Sequence, residues 1–286
     1  MREPLQSGSM PAKDLISFNT IIGALTKAGR SEDAFLMFDR MKRSNVKPDK
    51  YTYTSLIKAC VKEGDSQELL FDMKEQGVQP DVVTYNTMIR SLCDRFQFSE
   101  AKKLVTEMES RGIPPDSMTY GLLMNGLIKA KKPSTCLTLF ETACADRRTA
   151  PLMENVHLYT TAIAASVGNH ERALDLVSRM NIAGIKPNLK TMTALMSACL
   201  SSGKPELAID VYSRIANPDG YAMLIAIRAM CAKGDLSSAS NLLAPQRSGR
   251  VAMSGKQVME SFHVLIRSSL ELGDYAMARQ SFVSDA

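Results

Sequence analysis

At 286 residues the chain is longer than one hydrophobic core comfortably supports, because cores rarely grow past roughly 250 to 300 residues before a chain divides. It is 45% hydrophobic and 23% charged, with no Trp and no uninterrupted apolar run near the ~18 residues that a bilayer-spanning helix needs, so no membrane role is expected. A net charge of +5 is compatible with a polyanionic partner and does not by itself argue for one.

Residues 1–14 read as the tail of a preceding degenerate repeat, with Met1-Arg-Glu ending a helix and Met10 to Asp14 forming a closing turn; no targeting segment is recognisable in them. From Ile16 a seven-residue block, ISFNTII, opens a pattern that runs through the chain. It returns as YTYTSLI from Tyr51, VTYNTMI from Val83, MTYGLLM from Met118 and HLYTTAI from His157, then more weakly as KTMTALM from Lys190, YAMLIAI from Tyr221 and ESFHVLI from Glu260. A second landmark is Gly followed five residues on by Ala, as at Gly29/Ala34, Gly168/Ala173, Gly203/Ala208, Gly234/Ala239 and Gly273/Ala278. A third is Met seven residues before Pro-Asp or Pro-Asn, at Met41/Pro48, Met73/Pro80, Met108/Pro115 and Met180/Pro187. The landmarks keep one order, which defines repeats at 15–49, 50–81, 82–116, 117–155, 156–188, 189–219, 220–258 and 259–286, the last truncated.

Within the first repeat Phe18, Ile21, Ile22 and Leu25 follow the i, i+3, i+4, i+7 spacing of one apolar helical face. Ala34, Met37, Phe38 and Met41 repeat it after Gly29, the turn between two helices. Each repeat is therefore an antiparallel helical hairpin, and a hairpin that cannot bury both faces alone must stack on its neighbours. The expected fold is all-α, an α-solenoid superhelix of about eight helix-turn-helix repeats whose first helices line the concave face. Repeat two lacks three residues between Gly64 and Met73, so its second helix should be short; Glu141 to Asn155 and Ala244 to Val258 are longer tails, the latter expected as a loop. Both chain ends read as cut, so a fragment of a longer protein is expected.

The six cysteines include no C-x-x-C pair. Cys60, Cys93, Cys199 and Cys231 recur near the end of the first helix and read as small packing residues in a reducing compartment. His157, His170 and His263 form no catalytic or metal-binding motif, and Gly-rich phosphate loops are absent; neither enzyme activity, metal nor cofactor is expected.

The unit VVTYNTMIRSLCDRFQFSEAKKLVTEMESRGIPPD, Val82 to Asp116, resembles the pentatricopeptide repeat, and the resemblance extends from Leu15 onward. The tetratricopeptide repeat, the nearest competitor, carries an early Trp that this chain lacks. The resemblance implies a sequence-selective single-stranded RNA-binding protein, one base per hairpin, acting as a monomer in organellar RNA stability, processing or translation, in a mitochondrion or chloroplast. It places base reading on the polar residue after the aromatic and on the last residue of the repeat. The implied pairs are Asn19/Asp49, Thr54/Asp81, Asn86/Asp116, Thr160/Asn188 and Thr193/Asp219, and the implied target is U-G-U-n-A-G, 5′ to 3′. Gly121, Leu224 and His263 break the pattern in repeats four, seven and eight. Ile16, Tyr51 and Val83 fall where the family packs a side chain against the base, while Met118, His157 and Lys190 depart from it. Lys27, Lys62 and Lys129 stand where phosphates would pass, with Arg147 and Arg148 as further candidates.

Each closing Asp or Asn is also a good helix N-cap whether or not RNA binds, so both roles stay open for it. Two alternatives to RNA reading as the whole function remain: a protein-interaction or ribosome-associated scaffold, using the C-terminal repeats where reading residues decay, and the RNA-binding part of a longer RNA-processing enzyme.

Overall fold

The computed structural model describes residues 11–60, 65–244 and 253–279. Every regular element among them is helical, which agrees with the all-α solenoid class. The chain divides into two compact units, residues 1–126 and 127–286. No helix among the described residues is long and apolar enough to cross a membrane.

In the first unit α1 (Pro11–Lys27) pairs with α2 (Ser31–Arg43), α3 (Lys50–Ala59) with α4 (Asp65–Glu75), and α5 (Val82–Asp94) with α6 (Phe98–Ser110); α7 (Ser117–Lys129) follows. The first helices also pack on one another, α1 on α3 and α3 on α5, so each hairpin covers the open side of the one before it. The landmarks explain the stacking. Ala34 and Ala101 let the two helices of a hairpin approach, and Met41, Met73 and Met108 fill the core at the far end; all are completely buried.

Between α1 and α2 the chain reverses through Gly29 at φ +72°, a left-handed turn closed by Gly29 N–H to Thr26 O at 3.1 Å and Arg30 N–H to Leu25 O at 2.9 Å. Repeats three and four lack that glycine and place Phe96 (φ +61°) and Lys131 (φ +56°) at the same turn, a conformation that costs a side-chain-bearing residue roughly 1–2 kcal/mol.

In the second unit α8 (Pro133–Ala145) leads through a short α9 (Ala150–Met153) to α10 (Val156–Ala165) and α11 (His170–Ile182). There follow α12 (Leu189–Ser201) with α13 (Pro205–Ser213), α14 (Gly220–Lys233) with α15 (Leu236–Leu243), and α16 (Gly255–Glu271). The first helices again lie side by side, α10 on α12, α12 on α14 and α14 on α16. The long tail of repeat four contains α9, and α4, at 11 residues, is shorter than the 13-residue α2 and α6, as the gap in repeat two predicts.

Two expected boundaries move. Pro11 opens α1, so residues 11–14 belong to the first helix and form no closing turn; proline suits the first helical position, where no N–H is needed. Likewise α16 begins at Gly255, so residues 255–258 of the expected loop are helical, capped by a Ser254/Gln257 box, while residues 245–252 of that segment lie outside the described residues. Met253, just before it, is buried with Met223, Leu224, Ile227 and Phe262.

The cysteines behave as packing residues: Cys60, Cys93, Cys136, Cys199 and Cys231 are buried and Cys144 is half-buried. Burial pushes the Cys136 thiol up to about 12 and Cys231 up to about 11. Among the described residues no group of three His, Cys, Asp or Glu side chains could hold a metal ion.

Candidate nucleic-acid interface

The closing residue of a repeat is the N-cap of the next helix. Asp49 accepts from Thr52 N–H at 2.9 Å, Asp81 from Thr84 N–H at 2.9 Å, Asp116 from Thr119 N–H at 2.8 Å, Asn188 from Thr191 N–H at 2.9 Å and Asp219 from Ala222 N–H at 2.8 Å. These bonds fix each side chain at the base of a helix, with the polar residue of the preceding first helix beside it.

In the first unit Asn19 Nδ2 donates to both Asp49 carboxylate oxygens at 3.1 Å, and Asn86 Nδ2 donates to Asp116 Oδ1 at 3.1 Å. The amide oxygens point the other way, each accepting from a threonine: Thr52 Oγ1 to Asn19 Oδ1 at 2.5 Å and Thr119 Oγ1 to Asn86 Oδ1 at 2.7 Å. Thr54 has no direct bond to Asp81. Thr84 links them, lying 3.3 Å from Thr54 Oγ1 and donating to Asp81 Oδ1 at 3.0 Å, while Thr54 donates its own proton to Lys50 O at 2.8 Å. In the second unit Thr191 plays the same part, 2.7 Å from Thr160 Oγ1 and 3.0 Å from Asn188 Oδ1, and Thr160 donates to Val156 O at 2.7 Å.

Thr52, Thr84, Thr119 and Thr191 are completely buried, and they are the site residues that sequence reasoning missed. The signal was present as a threonine three residues after the closing Asp or Asn, standing directly before Tyr53, Tyr85, Tyr120 and Met192.

The fifth expected pair is not assembled. Thr193 is buried and donates to Lys190 O, three residues back, at 2.9 Å. No hydrogen bond among the described residues links it to Asp219, and Ala222 occupies the threonine position. In repeat seven Leu224 is buried in the core, whereas Gly121 and His263 offer no wired pair.

Electrostatics keep Asp116 and Asp81 ionised. Desolvation works to raise the Asp116 carboxyl, but the Thr119 N–H, Asn86 and the Thr119 hydroxyl outweigh it and hold it below the usual range. Asp81 is likewise lowered against desolvation, by the Thr84 N–H and by Lys50, whose Nζ lies 3.1 Å from Asp81 Oδ2.

Beside the pairs Ile16, Tyr51 and Val83 are exposed at 65, 53 and 61%. Tyr51 lies across α1, its hydroxyl so close that a Cβ on Gly23 would stand 2.9 Å away. Met118 and Tyr221 are exposed at the same position of their repeats. Lys27 and Lys129 end α1 and α7 on exposed positions; Lys62 lies outside the described residues. Arg148 pairs with Asp146 at 3.0 Å.

Helical hairpins stacked through buried Met and Ala landmarks, four of them carrying a linked polar pair at one register, define a helical repeat protein. Sequence profiles of the PPR repeat family match residues 13–62, 66–94 and 80–129; those of the pentatricopeptide repeat domain match 151–202 and 175–215; those of the PPR repeat match 51–78 and 118–142. The chain belongs to the pentatricopeptide repeat family. It is 27% identical over 198 residues to the Arabidopsis thaliana pentatricopeptide repeat-containing protein At1g77170, mitochondrial, covering 68% of this chain and 34% of that protein. It is 24% identical over 211 residues to the chloroplastic At1g08070 of the same plant, covering 71% of this chain and 22% of that protein. The fold is similar to that of the pentatricopeptide repeat protein PPR10 from maize, at 21% identity and TM-score 0.56, covering 92% of this chain and 42% of that one. The chain thus spans about a third or less of these two plant relatives.

Proposed function

We propose that this chain is a sequence-selective single-stranded RNA-binding module that reads the core U-G-U-n-A through repeats one, two, three and five. The observation that carries the reading is that each of the three kinds of wired pair, Asn/Asp, Thr/Asp and Thr/Asn, presents its own fixed order of donors and acceptors, and the order matches one base edge.

In the Asn/Asp pairs, one Nδ2 hydrogen is spent on the Asp and the other remains as a donor beside an acceptor carboxylate. Donor beside acceptor complements the carbonyl and N3–H of uracil. In Thr54/Asp81 the hydroxyl proton is committed to Lys50 O, so the pair offers two acceptors, complementing the adjacent N1–H and N2–H of guanine. In Thr160/Asn188 the hydroxyl proton is committed to Val156 O and the Asn188 oxygen is turned into the cap, leaving acceptor beside Nδ2 donor. That order suits adenine, and cytosine carries it on a smaller ring. A sixth base, G at Thr193/Asp219, is supported by residue identity alone. Exposed Ile16, Tyr51 and Val83 supply apolar faces beside the bases, and Lys27, Lys62 and Lys129 the phosphate contacts.

An organellar setting, in RNA stability, processing or translation, is supported by the mitochondrial and chloroplastic relatives. The repeats are the binding element and carry no catalysis themselves. An electrophoretic shift assay with U-G-U-n-A oligomers against scrambled sequences tests the reading: selective retention of the cognate oligomer is expected, and equal binding to both would overturn it.

A further inference from the structure

We infer that the buried threonines Thr52, Thr84, Thr119 and Thr191, each three residues past the cap of its helix, are positioning residues for the hairpin before them, so that base selection there belongs to two successive hairpins. The inference rests on the RNA-reading proposal and deepens it.

Geometry supports it first. Asn offers an oxygen and an NH2 on one planar group, and nothing in the side chain itself decides which end faces the Asp. At Asn86 the acceptor-only Asp116 carboxylate takes Nδ2 at 3.1 Å and the Thr119 hydroxyl meets the other end, Oδ1, at 2.7 Å, so the amide is held from both sides. The same hydroxyl accepts from Asp116 N–H at 3.1 Å, so one buried oxygen sits between the cap and the reading residue. Thr52 repeats this at Asn19. Where the reading residue is Thr, the hydroxyl of Thr84 or Thr191 faces its oxygen instead, and the reading proton is left to the carbonyl four residues back.

The sequence supplies an independent observation. Threonine stands at this position after Asn19, Thr54, Asn86 and Thr160. After Gly121, which has nothing to orient, the position holds Leu158. After Thr193 it holds Ala222, and there the reading hydroxyl has turned to Lys190 O and lost all connection to its closing Asp.

The test uses the whole chain with Thr119→Val and Thr119→Ser, measuring affinity for four RNAs that differ only at the third nucleotide. Thr119→Val should reduce the preference for U about fivefold or more, the lower end of one base-edge discrimination, and leave the second-nucleotide preference, wired by Thr84, unchanged; Thr119→Ser should keep both. A purely structural role would weaken all four RNAs alike. A folded Thr119→Val chain with the wild-type preference for U overturns the inference. If Thr119→Val does not fold, Thr52→Val read at the first nucleotide makes the same comparison. If the wild-type chain shows no preference at all, the RNA reading fails, and the side-chain amide resonances of Asn86 in the RNA-free chain decide the inference separately. Two distinct, protected protons are expected with Thr or Ser and faster-exchanging ones with Val; identical resonances in Thr119→Val overturn it.

Discussion

Asn86 and Asp116 are 30 positions apart in the chain and joined by one hydrogen bond of 3.1 Å, from the first turn of one first helix to the cap of the next. The cap therefore serves two ends. Asp116 caps the N-terminus of α7 and, in the proposed reading, also sets the acceptor half of the pair: its Oδ1 takes the bonds from the Thr119 N–H and Asn86 Nδ2, and Oδ2 takes neither. The two roles proposed for a closing Asp do not compete.

Replacing Asn86 by Thr should convert the third pair to the order seen at Thr54/Asp81. The hydroxyl proton would pass to the Val82 carbonyl four residues back, leaving two acceptors. Competition binding with U-G-U-n-A and U-G-G-n-A oligomers should show the third-nucleotide preference moving from U to G, by about 1–3 kcal/mol of discrimination. A variant that still prefers U would contradict the donor and acceptor assignment.

Because the Asp81 and Asp116 carboxyls are held below their ordinary values, they stay ionised through the physiological range. A depressed folded-state pKa contributes stability that is present above the unfolded value, near 3.9, and is lost as pH falls through the folded one. Selectivity at the second and third nucleotides should therefore be flat between about pH 8 and pH 5 and fade only below about pH 4. A midpoint near pH 6 in fluorescence-anisotropy titrations would show that another group controls reading.

Periodicity made the fold legible because stacking demands it: Ala34, Met41 and their counterparts recur wherever one hairpin must meet the next. The caps were legible for the same local reason, an Asp or Asn three residues before the backbone N–H it accepts. What the repeat register hid was local deviation at its ends, where Pro11 and the Ser254/Gln257 box start helices ahead of the aromatic landmark. The threonine relay was hidden for another reason. Its partner lies in a different hairpin, 33 positions away for Thr52 and Asn19, so no local pattern announces the bond. Thr193 shows the converse: the right residue at the right position, buried and bonded to Lys190 O, with Ala222 at the position where the other pairs have threonine.

Gly126 is fixed by close approach. A Cβ there would stand 2.8 Å from Cys93 Cβ and 3.1 Å from the Phe98 ring, and a backbone-attached Cys93 Cβ cannot swing aside. Gly126→Ala should lower stability by about 1–3 kcal/mol through overpacking, despite the better helix propensity of alanine. Lys131→Gly, relieving the left-handed turn at φ +56°, should act in the opposite direction by about 1 kcal/mol. Thermal midpoints of the two variants check both, and a higher midpoint for Gly126→Ala would mean that α5 and α7 are free to separate.

Glu107 joins two hairpins on the face opposite in role to the reading pairs. It accepts from Lys74 of the preceding hairpin at 2.5 Å, from the Tyr85 hydroxyl at 3.1 Å and from Arg111 at 3.0 Å. Although desolvation works to raise it, these donors hold Glu107 below the usual carboxylate range, and burial with the Glu107 charge pushes Tyr85 up to about 12. Asp72 repeats the arrangement one hairpin earlier, with Lys42 at 2.6 Å and the Tyr53 hydroxyl at 3.0 Å. Most surface ion pairs contribute about 0–1 kcal/mol, but this one also satisfies the hydroxyl of a ring with no exposed surface. Glu107→Ala should therefore cost about 1–3 kcal/mol, the range for a charged partner lost from a buried hydroxyl. Tyr85→Phe should cost less, because Glu107 keeps Lys74 and Arg111. Neither change touches Asn86, Asp116 or Thr119, so third-nucleotide selectivity in the folded variants should equal that of the wild type. Denaturation midpoints and the four-RNA comparison measure the two effects separately, and a loss of U preference in Tyr85→Phe without unfolding would show that the clamp and the reading pair are one coupled device.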